Sequence, residues 1–60
     1  MVGYQQIQAM TKGTRGTAAD FANWTALTKD HIRPVLQWME KQTPPTVRLV
    51  SSTPYVWEVQ

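Results

Sequence analysis

Between Thr17 and Leu36 the chain reads TAADFANWTALTKDHIRPVL, and this stretch leaves few alternatives for the fold. Thr17 followed three residues later by Asp20 has the form of a capping box, in which each side chain takes the other residue's backbone N–H. A helix is therefore predicted over about residues 18–24, with Ala22 small where a second helix must approach. Leu27 lies in a tight turn. Thr28 is a second cap, because its hydroxyl can accept from a free N–H in the next helix, and Asp30 places negative charge where the helix dipole favours it. Ile32, Val35, Leu36 and Met39 then recur at i, i+3, i+4 and i+7, an apolar helical stripe. This second helix is predicted over about residues 29–42. Pro34 falls inside it, lacking an N–H and crowding the carbonyl of Asp30, so an irregular or 3₁₀ first turn is expected rather than a break. Pro44-Pro45 disfavours helix at Thr43 and should end it.

The segments TVRLV and YVWEV that follow alternate apolar and polar residues and predict a β-hairpin over about residues 46–59. Pairing Leu49 with Trp57 and Val47 with Val59 puts Val47, Leu49, Tyr55, Trp57 and Val59 on one face. The same register sets Arg48 opposite Glu58 and Ser51 opposite Tyr55, with Ser52-Thr53-Pro54 as the turn. Ahead of the central segment, Tyr4, Ile7 and Met10 share one side of a helix predicted over about residues 4–11. Thr11 to Gly16, with two glycines, reads as a loop carrying Lys12 and Arg15. The fold class expected is α+β: one domain over residues 1–60, three helices followed by a two-stranded hairpin.

In this order of elements the chain resembles the winged helix-turn-helix proteins. Phe21-Ala22, Leu27, Thr28, Ile32 and Leu36 fall on the places of their motif, apolar-Ala, apolar-Ser/Thr, apolar and Leu. Two positions depart: Ala26 stands where Gly is common, at a turn that can require positive φ, and Thr25 where an apolar residue is usual. The resemblance covers about residues 4–59. It implies that the third helix enters the major groove of double-stranded DNA and that the hairpin is a wing, as in a small transcriptional regulator or an excisionase-like architectural factor. A short strand is also often found in such proteins where the Thr11–Gly16 loop lies. A chain of this length suggests a phage, plasmid or mobile element as its source.

Composition narrows the chemistry. There is no cysteine, so disulfides and thiolate metal sites are out, and one histidine with four carboxylates suggests no metal cluster. No pair of titratable groups is spaced for joint acid–base work, so an enzyme is not expected, nor a cofactor, nor a small-molecule substrate. No apolar run approaches the roughly 20 residues that cross a bilayer. The opening MVGYQQIQAM lacks a basic segment ahead of an apolar core and does not read as a signal peptide. The expected location is cytoplasmic, with the nucleoid if the partner is DNA. A formal charge of +2 permits a local nucleic-acid patch without demanding one.

On the third helix the apolar stripe leaves Asp30, Arg33, Pro34, Gln37, Trp38 and Lys41 toward the opposite side, with Lys29 and His31 at the flanks near the N-terminal end. Arg bonds guanine O6 and N7 in a bidentate way, and Gln does so with adenine N6 and N7. Lys12, Arg15, Thr17, Thr28 and Arg48 are candidates for phosphate contact, Thr17 because helix N-termini attract anions. Arg48 has a competing role as the partner of Glu58. Trp24 and Trp38 are candidates for a homodimer or protein-partner surface, since exposed Trp is enriched at such contacts. The same face also suits a winged-helix interaction module that does not bind DNA.

Overall fold

Both predicted helix starts form as their caps dictate. Thr17 Oγ1 accepts from the Asp20 N–H at 3.2 Å while Asp20 Oδ2 accepts from the Thr17 N–H at 3.0 Å, which completes the capping box. Thr28 Oγ1 accepts from the His31 N–H at 3.2 Å. The computed structural model describes residues 2–60 and holds helices α1 (Tyr4–Gln8), α2 (Ala18–Thr25) and α3 (Lys29–Glu40). Its strands are β1 (Arg15–Gly16), β2 (Val47–Ser52) and β3 (Tyr55–Val59), in one antiparallel sheet of order β1-β3-β2.

Between α2 and α3 the chain turns on Ala26, at φ 60 and ψ 31. The Leu27 N–H reaches the Ala22 carbonyl at 3.0 Å and the Ala26 N–H reaches that of Asn23 at 3.3 Å. These are the paired bonds that close a helix through a left-handed residue. Ala26 is the only non-glycine residue with positive φ among those described, so the turn has the geometry that favours glycine without the glycine. Thr25, the other departure, is buried; its hydroxyl donates to the Phe21 carbonyl at 2.7 Å, so the side chain packs like valine with no orphan polar atom. Gly3, at φ 91, starts α1, and a Cβ there would lie 3.0 Å from Leu27 Cδ1.

Pro34 leaves α3 continuous from Lys29 to Glu40. The irregular or 3₁₀ first turn expected from it does not form: the first turn is α-helical, with the Ile32 N–H on the Thr28 carbonyl at 3.0 Å and the His31 N–H sharing that carbonyl at 3.1 Å, as is common at a helix start. The stripe Ile32, Val35, Leu36 and Met39 is buried in one core with Ile7 of α1, Phe21 of α2 and Val47, Trp57 and Val59 of the sheet.

Four further expectations need correction. The helix predicted over about residues 4–11 ends at Gln8, because the chain must turn for the Gly13 N–H to meet the Val59 carbonyl at 2.7 Å. The helix predicted to run to about residue 42 ends at Glu40, since the Met39 carbonyl turns to the Gln42 and Thr46 N–H groups. The sheet has three strands instead of two. Arg15 and Gly16, predicted as loop, pair with Glu58 and Trp57. Gly16 permits this because any Cβ there would lie 2.8 Å from the Trp24 ring. Finally, the hairpin keeps the predicted register at Val47↔Val59, Arg48↔Glu58 and Leu49↔Trp57, then slips by one residue at a bulge. Ser51 pairs with Val56 and Ser52 with Tyr55, the turn shortens to Thr53-Pro54, and Tyr55, on the same face of β3 as Trp57 and Val59, lies 57 % exposed beyond the core. Ser51 to Tyr55 are all exposed, so no burial pins the register there.

Candidate nucleic-acid interface

The buried stripe fixes the rotation of α3, and the side chains on its flank toward the hairpin stay in solvent. Lys29, Arg33 and Gln37 are each exposed and recur every four residues, so they form one ridge stepping about 6 Å along the axis each time. The hairpin runs beside this ridge, and two clefts open between them. One, of about 390 Å³, is bordered by Lys29 and Arg33, the start of α2 at Thr17, and the hairpin end from Ser52 to Tyr55. The other, of about 380 Å³, continues past Arg33 to Gln37, Glu40 and Leu49. Arg33, Tyr55 and Trp57 border both, so the clefts form a single groove. Trp57, only 3 % exposed, supplies its floor. Its Nε1 donates to Glu40 Oε1 at 3.2 Å, which ties the α3 wall to the sheet.

The remaining candidates divide by position. Thr17 borders the groove, but its hydroxyl and N–H are engaged with Asp20, whose carboxylate already occupies the positive end of α2. That negative charge disfavours a phosphate at Thr17. Thr28 spends its lone pair on the α3 cap. His31 Nε2 donates to the Val2 carbonyl at 3.0 Å, turning the ring toward the N-terminal segment. Lys41 follows the last residue of α3, at the opposite end from Lys29. Lys12 lies in the turn beside Gly13, against the end of β3 remote from the Thr53-Pro54 turn.

Arg15 and Arg48 leave the interface altogether. Both pair with Glu58 across the sheet, and Glu58 lies between core-facing Trp57 and Val59, so all three side chains stand on the outer face. The ion pair expected for Arg48 belongs to Arg15, whose Nε donates to Glu58 Oε2 at 2.6 Å. That bond holds the Glu58 carboxyl below its ordinary value; partial desolvation opposes it, while the Gln60 amide and the charges of Arg15 and Arg48 reinforce it. The third strand brings Arg15 there, which is why sequence spacing alone pointed to the wrong arginine.

Tyr55 keeps the face that the alternation gave it, beside Trp57, but it stands where β3 runs past the core, so it borders the groove instead of being buried. Trp24 and Trp38 are 51 % and 41 % exposed, and Trp38 packs edge-on to Tyr4 at 5.1 Å. Among the described residues no three His, Asp or Glu side chains lie together to hold a metal, and no helix is long and apolar enough to cross a membrane. The chain matches no protein-family model, no curated protein and no solved structure.

Proposed function

We propose that the chain is a sequence-specific double-stranded DNA-binding protein, a small winged helix-turn-helix regulator that lays α3 in the major groove with the hairpin as its wing. The observation that carries this reading is the ridge of Lys29, Arg33 and Gln37 on the outward side of α3. These are donors suited to guanine, adenine and phosphate, on a helix fixed behind by a left-handed turn and a shared core. Arg33 and Gln37 take the role of base readers and Lys29 that of a phosphate contact. A cytoplasmic location follows from DNA as the partner.

Titration of the protein with mixed-sequence duplex at two salt concentrations, followed by backbone NMR, tests the reading. The expected result is shifts at Lys29, Arg33 and Gln37 and an affinity that falls as salt rises. Shifts confined to Trp24, Trp38 and α1 would instead favour a protein-interaction module. The exposed Trp38, packed edge-on to the half-buried Tyr4, is the observation on that side.

A further inference from the structure

Whatever fills the groove beside α3 must suit an aromatic wall and two cations at once. Lys29 and Arg33 stand one turn apart on the helix side, about 6 Å along the axis. Tyr55 faces the groove from the hairpin, its ring centroid 6.0 Å from that of Trp57. Ser52 and Thr53 add hydroxyls at the hairpin end. No carboxylate borders this cleft, although the chain has four. Asp20 is bound into the α2 cap, Glu58 into the Arg15 pair on the outer sheet face, Glu40 to the Trp57 indole, and Asp30 lies in the first turn of α3 outside the cleft lining. The cleft is therefore positive and aromatic together.

We infer that this groove binds a free mononucleotide, its phosphate between Lys29 and Arg33 and its base against Tyr55. The volume of about 390 Å³ falls in the range of small-ligand sites, roughly 300–1,000 Å³. Stacking a base on an aromatic ring is worth about 1–3 kcal/mol, and the arginine–phosphate bond is charge-assisted and bidentate. Neither half of the ligand satisfies both walls: inorganic phosphate has no ring to stack, and a nucleoside has no anion. Arg33 is shared with the duplex interface, so nucleotide and DNA exclude one another, which gives the domain an effector response without a separate sensor. Only this exclusion rests on the DNA-binding reading; the site itself does not.

The test is a backbone and indole NMR titration of the full chain with 5′-AMP, adenosine and ribose 5-phosphate in parallel. AMP is expected to shift Lys29, Arg33, Ser52, Thr53, Tyr55 and the Trp57 indole, and to bind at least about tenfold more tightly than either half. Arg33→Ala and Tyr55→Ala should each weaken AMP by about tenfold. Both side chains are exposed, so the rest of the spectrum should not change. AMP binding no tighter than ribose 5-phosphate, or shifts centred on Lys12 and Lys41, overturns the site. A duplex arm separates the two readings. AMP binding without duplex binding keeps the site and removes the DNA reading, and duplex binding without AMP binding does the reverse. Where both bind, failure of AMP to displace duplex overturns the exclusion.

Discussion

Ala26 holds a left-handed conformation that costs an L-residue roughly 1–2 kcal/mol, and it is exposed, so its methyl group gains little packing in return. Glycine removes that cost but adds about 0.5–1 kcal/mol of backbone entropy to the unfolded chain. Ala26→Gly should therefore stabilise by up to about 1 kcal/mol, a rise of a few degrees in Tm for a domain this small. A lowered Tm in a thermal melt would mean that the turn is not held at the αL position. Arg33 is the residue on which function turns. Arg33→Ala should weaken binding to a preferred duplex by about 1–3 kcal/mol and flatten the preference between sites, whereas Lys29→Ala should weaken all sequences alike. An unchanged ranking of sites in competition binding would show that Arg33 touches only backbone.

At the scale of elements, what could be read ahead depended on whether a local rule was enforced by burial. The two Thr caps, the stripe from Ile32 to Met39 and the pairing of Leu49 with Trp57 were legible because the polar and apolar partners lie within a few residues or alternate along a buried face. β1 was not, since two residues carry no periodicity and Gly16 pairs for a reason visible only once Trp24 lies over it. The pairing at the hairpin end was not legible either. Alternation fixes the register of β2 against β3 only until the bulge after Leu49, and the exposed hairpin end gives no penalty for one. The third strand also sets an acid response. Glu58 has its carboxyl lowered chiefly by Arg15, so its contribution is complete above the ordinary value of 4.5 and is lost as the pH falls through the lower folded value. Thermal melts at about pH 6 and about pH 3 should show a smaller acid-induced drop in Tm for Glu58→Gln than for the parent chain, and Arg15→Gln should reproduce it. If Arg48→Gln does so instead, the ion pair in solution is not the one with Arg15.

At the scale of the molecule, one core joins α1, α2, α3, β2 and β3, and the element that gives it most residues is α3, whose stripe also aims the candidate interface. Stability and function are thus coupled through the rotation of a single helix. Leu36 is fully buried, and Gln37 beside it is exposed on the groove. A buried Leu→Ala change costs about 2–5 kcal/mol, while a 60-residue chain at about 0.05–0.15 kcal/mol per residue has about 3–9 kcal/mol in total. Leu36→Ala should therefore unfold a large part of the population near room temperature and remove duplex binding with it. Gln37→Ala removes no core contact, so it should leave Tm within about a degree of the parent chain while shifting the preference at one base position. The comparison is made on the same samples by circular dichroism melts and duplex competition. Destabilisation by Gln37→Ala with tolerance of Leu36→Ala would place the helix in the opposite phase, and Lys29 and Arg33 would then turn away from the groove with it.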